Sequence, residues 1–510
     1  MIAADTLQGP PIDWFALSPL LILLGGGLLL LVVGALTRPW PRGLYAFVCA
    51  LSAGAALVMS TVLWDDITDN GARTLVGDAI AFDGFSMFVT IAICLALVLV
   101  SMLTSDYLAR EDLDGPEVYA LYLMAAIGAI VMSAANDLLV MFLGLEVLSL
   151  SLYTLAASHR RRLSSQESGL KYFLLGGFAS AFFLYGVALI YGAAGSTNIG
   201  EIVREFSTRV QTERTDALAL AGIALLLVGL AFKVAAVPFH VWTPDVYQGA
   251  PSPVTAFMAS IGKAAAFAAM LRVLVYALPA WRDDWRPAVW ALAALTVVIG
   301  STLAVVQTDV KRMLAFSSIS HAGFLLVGVE AAGHTAGETE VGTGVSSTLL
   351  YLMIYGVMVV GTFAVVGLVG RTGDGATDLS AFRGLGRTRP LLAVGMTVLL
   401  LAQAGMPVTS GFVAKFGVIK AAVEEESWVL AVIAMVASVI AAFVYLRIMI
   451  SMWAAEPEAG DDARGPVRIP LASGLAIAAA VGFTLVVGIA PGWLVSASEN
   501  ATALMRGMLP

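Results

Sequence analysis

Residues 218–240 read LALAGIALLLVGLAFKVAAVPFH, and residues 241–271 continue as VWTPDVYQGAPSPVTAFMASIGKAAAFAAML. Two apolar runs flank a short, more polar stretch, and each is long enough to cross roughly 30 Å of hydrocarbon as a helix. The first carries Lys233, then meets Pro238 and Pro244 with His240 between them. Proline removes a backbone donor and displaces the preceding turn. Broken backbone at membrane depth is tolerated only where protein or a wet cavity covers it. The second run holds Lys263 near its middle. A lysine at the bilayer centre costs roughly 2.5–3.5 kcal/mol on insertion scales. A broken helix and two costly cations in one segment read as a membrane protein whose ionisable groups carry its function.

The rest of the 510 residues extends the pattern. Charged residues make up 13% of the chain, about half the soluble norm of roughly 25%. That leaves no room for a separate soluble domain. Hydropathy predicts an all-α integral membrane protein of fourteen helical spans, at roughly 15–36, 44–64, 79–104, 117–134, 137–157, 168–194, 217–239, 253–278, 287–307, 311–330, 346–370, 389–424, 428–453 and 469–495. The seventh and twelfth look interrupted. The twelfth contains Gly405-Met406-Pro407 and then Ser410-Gly411, just before Lys415. Paired broken helices in corresponding halves point to inverted repeats. The chain then divides into N-terminal helices 1–3 (residues 1–110), a first repeat of helices 4–8 (111–280), a second of helices 9–13 (281–455) and a C-terminal helix 14 (456–510).

The net charge of −8 comes mostly from loops, so it says little about partners. No basic cluster exceeds Arg160-Arg161-Arg162, which argues against nucleic-acid binding. Cys49 and Cys94 lie in apolar segments and read as small buried hydrophobes, and neither CxxC nor HExxH spacing occurs. The N-terminus is acidic and polar, unlike a signal-peptide n-region, so the first helix is expected to be retained. Loops after odd-numbered spans carry about 14 Arg and Lys, among them Arg38, Arg110, Lys311, Arg312, Arg371 and Arg464. Loops after even-numbered spans carry about six, including Arg204, Arg209 and Arg214. The positive-inside rule then places the odd loops in the cytoplasm and both termini outside. The segment NIGEIVREFSTRVQTERT, residues 198–215, reads as an amphipathic helix on the outer surface.

Four of the six lysines sit in apolar spans: Lys171, Lys233, Lys263 and Lys415. Glu146, in MFLGLEVLSLSL, is the natural partner of Lys233. Burial disfavours the charged lysine and a nearby carboxylate favours it, a balance suited to proton transfer. The plainer alternative is a static pair that orients two helices. Lys263 is surrounded by Ala259, Ser260, Gly262 and Ala264–Ala266, small residues that let helices approach closely. It has no acidic neighbour on its own helix and suits a proton carrier; contact with backbone carbonyls is the structural alternative. Lys415 reads as buried and Lys420, beside Glu424-Glu425-Glu426, as exposed. Lys171 lies near its helix start, where it either snorkels to the interface or takes part in transfer. His240 shares a face with Lys233 only in an unbroken helix. His240 and His321 are candidate proton carriers, or simply satisfied polar contacts. Arg272 and Arg447, near helix ends, read as interface anchors, and Asp137 as a helix N-cap.

The segment AFKVAAVPFHVWTPDVYQGAPSPVTAFMASIGKAA, residues 231–265, resembles the central signature of the antiporter-like membrane subunits of respiratory complex I. DVYQGAP within it, KYFLLGGFAS at 171–180 and KRMLAFSSISHAGF at 311–324 are similar to the N-type members in particular. AGMPVTSGFVAKF at 404–416 is also similar to the family. The resemblance covers about residues 80–450. It implies a proton-translocating subunit of an H+-translocating NADH:quinone oxidoreductase. By position, Glu146 matches the fifth-helix glutamate, Lys233 and Lys263 the seventh- and eighth-helix lysines, and Lys415 the residue of the broken twelfth helix. Lys171 and His240 match the family's sixth-helix lysine and seventh-helix histidine. M-type relatives carry glutamate at the position of Lys415, so lysine favours the N- or L-type; the modest length argues against the L-type. The resemblance places no cofactor in this chain; NAD, FMN, iron–sulfur clusters and quinone are expected in partner subunits. Implied partners are a neighbouring antiporter-like subunit, small K-, J- and A-type subunits and the lipid of the cell's inner (plasma) membrane. Rival readings are a subunit of a multi-subunit cation/proton antiporter or membrane-bound hydrogenase, a stand-alone solute transporter, and a purely structural subunit.

Overall fold

The structure, a computed structural model, describes residues 12–503 except 114, 209–212, 339–341 and 457–467. Arg209 and Arg464 of the loop-charge reading lie outside the described residues, as does the side chain of Arg214. Among the described residues, thirteen helices are long and apolar enough to cross a membrane: Ser18–Leu36, Leu44–Asn70, Gly84–Glu111, Pro116–Ala134, Leu138–Ala156, Leu163–Ala194, Asp216–Val234, Ser252–Ala277, Pro279–Val305, Val310–His334, Gly344–Val369, Trp428–Trp453 and Leu471–Ile489. A further crossing is split into Pro390–Ala404 and Ser410–Glu424. Counted in chain order with the split helix as twelfth, these are the fourteen expected spans, and the protein is a multi-pass membrane protein.

Both expected breaks are present. The seventh span stops at Val234 and resumes as Trp242–Gly249. Residues with positive φ end the first halves: Ala235 at +63° and Gly405 at +86°. The freed backbone groups find partners, as burial demands. Ala236 N–H donates to Ala231 O at 2.8 Å, and Met406 N–H to Leu401 O at 3.1 Å. The Trp242 indole reaches back to Phe232 O at 3.1 Å, and Val237 N–H donates to Thr296 Oγ1 of the ninth span at 2.9 Å.

Glycines set the closest helix contacts. A Cβ on Gly128 of the fourth span would meet the backbone of Leu148 at 2.5 Å, and one on Gly144 of the fifth would meet Met132 N at 2.6 Å. The ninth and tenth spans repeat the arrangement: Gly300 faces Ser320 N and Gly323 faces Val297 N, each at 2.5 Å. Only glycine lets backbones approach this closely. The same device thus recurs at pairs 4–5 and 9–10, as the breaks do at spans 7 and 12. The eighth, tenth and eleventh spans are nearly wholly buried, so their polar groups cannot snorkel to an interface. The eighth is also irregular, with π-helical turns at Met258–Gly262 and Arg272–Ala277 around the α-helix Lys263–Leu271.

Three local features depart from the expected layout. The third span starts at Gly84 because Arg73–Leu75 and Ile80–Phe82 pair as an antiparallel hairpin. The helix Ile199–Thr208 buries Ile199, Ile202, Val203 and Phe206, and Phe206 packs edge-on to Trp281 at 5.7 Å. Its apolar face is thus covered by the protein rather than offered to lipid. The last span ends at Ile489, and a separate helix Gly492–Ala503 follows.

Candidate functional site

Among the described residues, no direct ion pair joins Glu146 and Lys233. Lys233 Nζ donates to Ser149 Oγ at 2.6 Å, and Ser149 Oγ in turn donates to Leu145 O. Glu146, Ser149 and Tyr153 lie at i, i+3 and i+7, one face of the fifth span. The ammonium also sits 5.4 Å from the Tyr153 ring centroid and 5.7 Å from that of Tyr172, within the range of cation–π attraction. Glu146 Oε1 is buried with no hydrogen-bond partner. Lys233 occupies the last turn before the seventh-span break, the end of a helix whose dipole favours a cation.

Lys415 meets the twelfth-span break directly. Its Nζ donates to Ala404 O, the last carbonyl of the first half-helix, at 3.1 Å and to Ser438 Oγ at 3.0 Å. The same ammonium lies 4.8 Å from the Phe324 ring centroid. Lys263 follows the first π-helical turn and is 2% exposed. Its Nζ donates to the Ser318 carbonyl and lies 5.7 Å from the Tyr355 ring.

His321 stands between these two lysines. Its ring is 4.7 Å from Tyr355, which borders Lys263, and 6.4 Å from Phe324, which borders Lys415. Nδ1 meets Tyr351 Oη at 2.6 Å and Nε2 meets Tyr445 Oη at 3.2 Å. A tyrosine hydroxyl both donates and accepts, so the imidazole can hold its proton on either nitrogen without losing a partner. Tyr355 Oη donates to Ser318 Oγ at 2.8 Å, and Ser317 Oγ and Tyr445 Oη share a hydrogen bond of 2.5 Å. Lys263, His321 and Lys415 thus form one contiguous polar and aromatic string. Lys233 shares none of these partners and stands apart from it.

The remaining sequence candidates divide. Lys171 Nζ binds Asp245 Oδ2 at 2.8 Å and Glu167 Oε1 at 2.7 Å. Arg312 Nη1 reaches Asp245 Oδ1 at 2.8 Å and Gln248 Oε1 at 3.1 Å. Asp245, on the half-helix after the break, therefore ties the sixth span to the tenth, a role no sequence signal marked. His240 is half-buried, its Nδ1 is unpartnered, and it has no contact in common with Lys233. Pro238 and Pro407 lie in the two breaks. Asp137 caps the fifth span as expected, accepting from Leu139 N and Val140 N, and Lys420 is exposed beside Glu424.

Two arginine and lysine readings are corrected. Arg272 is no interface anchor: it is buried, makes a bidentate pair with Asp83 at 2.8 and 2.9 Å, and donates to Ser133 O at 2.6 Å. Lys311, counted among the loop charges, is fully buried against Asp374 Oδ2 at 3.1 Å and Ala250 O at 2.6 Å. Both sit at helix ends in the sequence, where hydropathy does not distinguish an exposed charge from one covered by a neighbouring segment. The tyrosines around His321 were also missed, because aromatic residues in apolar spans carry no periodic sign of polar duty.

Residues 135–441 match the family described as NADH:quinone oxidoreductase/Mrp antiporter, TM. The NADH-quinone oxidoreductase subunit N of Rhodococcus opacus (strain B4) is 42% identical, over 98% of both chains. Subunit N of Mycobacterium tuberculosis (strain ATCC 25618 / H37Rv) is 40% identical, over 98% of this chain and all of the relative. A chain of respiratory complex I from Thermus thermophilus with bound aureothin superposes with a TM-score of 0.77 at 35% identity, covering 94% of this chain and 98% of that one. A chain of the Mrp complex from Dietzia sp. DQ12-45-1b reaches 0.83 at 24% identity, covering 98% and 99%. The last likeness speaks to backbone alone; the sequence identities lean toward the subunit N relatives. The chain belongs to the NADH:quinone oxidoreductase/Mrp antiporter family of membrane proteins, among the subunit N members.

Proposed function

We propose that this chain is a proton-translocating membrane subunit of a bacterial NADH:quinone oxidoreductase, with the Lys263–His321–Lys415 string as its transfer path. The string itself carries the proposal: three titratable groups at membrane depth, linked by shared tyrosine and phenylalanine contacts. A proton reaching Lys263 passes by the Tyr355 and Ser318 hydroxyls to His321, whose two tyrosine partners exchange protons with either ring nitrogen. It then reaches Lys415 beside the second helix break. Glu146 and Lys233 gate this path. Ser149 holds the ammonium while Glu146 Oε1 stays unpartnered, so an approach of the carboxylate would add an ion pair to the contact with the neutral hydroxyl. Opposite charge at close range favours the protonated lysine. Lys171 and His240 serve at the cytoplasmic end of the broken seventh span.

The subunit performs no redox chemistry; NAD, FMN, iron–sulfur clusters and quinone belong to partner subunits. Residues 111–280 and 281–455 act as the two repeats. The linkers after odd-numbered spans face the cytoplasm, with both termini on the outer side of the inner membrane. The exposed apolar face of the fifth and sixth spans, with Leu143, Leu150 and Phe178, lies beside Glu146 and suits contact with a neighbouring membrane subunit. Lys263→Ala in the assembled enzyme tests the path. NADH-driven dye quenching in membrane vesicles is expected to fall about tenfold, the effect of roughly 1.4 kcal/mol on a barrier. Unchanged pumping together with unchanged quinone reduction would refute the assignment.

A further inference from the structure

At the end of the molecule formed by the odd-numbered linkers, four buried polar atoms lack a hydrogen-bond partner: Tyr107 Oη, His159 Nδ1, Arg162 Nη1 and Asp374 Oδ1. Tyr107, His159 and Asp374 are 4%, 7% and 2% exposed. They belong to one network. Asp374 Oδ2 accepts from Ser252 N and Oγ, each at 2.9 Å, and from Lys311 Nζ at 3.1 Å. Arg162 Nη1 lies 3.6 Å from the same oxygen. His159 Nε2 meets Glu111 Oε2 at 3.3 Å, and Glu111 Oε1 accepts from Gly373 N at 2.6 Å and pairs with Arg110. The Tyr107 and His159 rings are 6.3 Å apart, edge to face.

Unsatisfied buried polar atoms are rare and costly. Four in one network call for a common partner, and their chemistry selects it. Asp374 Oδ1 only accepts and Arg162 Nη1 only donates. An anion leaves the carboxylate oxygen unmet. A cation leaves the guanidinium unmet, and Arg110, Arg162 and Lys311 already outnumber Glu111 and Asp374. Water both donates and accepts, and matches all four. A cavity of about 20 Å³ borders the network at Tyr107, Arg110 and Ser252, room for about one water at the roughly 10–15 Å³ each needs.

We infer that this network holds ordered water and is the chain's site of proton uptake; the uptake role rests on the proton-translocation reading above. Its position supports that role. Ser252, clamped by Asp374, opens the eighth span, which carries Lys263 eleven residues further on. Lys311 is near the start of the tenth span, which carries His321. Bound water at the network delivers a proton to His159 Nδ1, with Glu111 on the opposite ring nitrogen. From there the path runs inward along the two spans that hold the relay.

Two measurements on the assembled complex test the two parts. X-ray radiolytic labelling modifies side chains that touch bound water and does not depend on turnover. Tyr107 and His159 are expected to label several-fold faster than Phe183 and Trp285, which are also buried. Labelling no faster than those residues would overturn the hydrated site. His159→Gln keeps a hydrogen-bonding side chain but cannot carry a proton. The variant is expected to lower NADH-driven pumping about tenfold, the effect of roughly 1.4 kcal/mol on a barrier, with the complex still assembled by native gel. Wild-type pumping in His159→Gln would overturn uptake while leaving the water site standing. Wild-type pumping in Lys263→Ala, by contrast, would sink the relay without touching the labelling result.

Discussion

At the residue scale, the two break-side lysines are held differently. Lys233 sits in the last turn of one half-helix and donates to the Ser149 hydroxyl, whereas Lys415 donates to Ala404 O, the last carbonyl of the other broken helix's first half, and to Ser438 Oγ. Lys263 relies on a single backbone carbonyl and a tyrosine face. Ser149→Ala would remove the hydroxyl that holds Lys233. A hydrogen bond to a charged group contributes about 1.5–3 kcal/mol, so pumping should fall several-fold in vesicle assays while assembly survives. Arg272→Ala should behave differently. It strands Asp83, fully buried, with an uncompensated charge, at a cost of about 3–5 kcal/mol. Loss of the complex from native gels, or a lowered thermal midpoint, is the expected readout; a normally stable variant would contradict the buried-pair account. Lys420→Ala, on an exposed lysine, should change stability by less than about 0.5 kcal/mol.

At the scale of the element, the interruptions are the working parts. Gly405 adopts φ +86°, and a Cβ there would lie 2.8 Å from Lys415 Cδ. Gly405→Ala therefore combines left-handed strain of about 1 kcal/mol with a push on the lysine stem. Pumping should drop while the other spans stay folded, as judged by retained assembly and NADH oxidation in the peripheral arm. The helix pairs are less forgiving. Gly144→Val would drive a branched side chain into the Met132 backbone; overpacking of this kind costs typically 1–3 kcal/mol, and reduced membrane levels on immunoblots would report it. The seventh and twelfth breaks were readable from Pro238, Gly405 and Pro407, because proline and glycine act locally. The hairpin before the third span was not, since Arg73–Phe82 pairs through backbone bonds that composition does not reveal.

At the scale of the whole molecule, the fold is shared more widely than the function. The Mrp chain superposes better than the complex I chain although its sequence is further away, so backbone likeness alone does not choose between them. Purification from native membranes does: quinone-reductase subunits should accompany this chain, and company with small antiporter subunits would reverse the assignment. The sequence by itself determined the membrane class, the fourteen crossings, the two breaks and the buried lysines, because hydrophobic run length and helix-breaking residues are local and the cost of an intramembrane charge is large. Only the tertiary structure decided which charges meet. It put Ser149 rather than Glu146 at the Lys233 ammonium, set His321 between Lys263 and Lys415, and buried Lys311 and Arg272 against carboxylates 63 and 189 residues away. Those pairings depend on which faces of distant helices pack together, and hydropathy along one helix carries no trace of its neighbours.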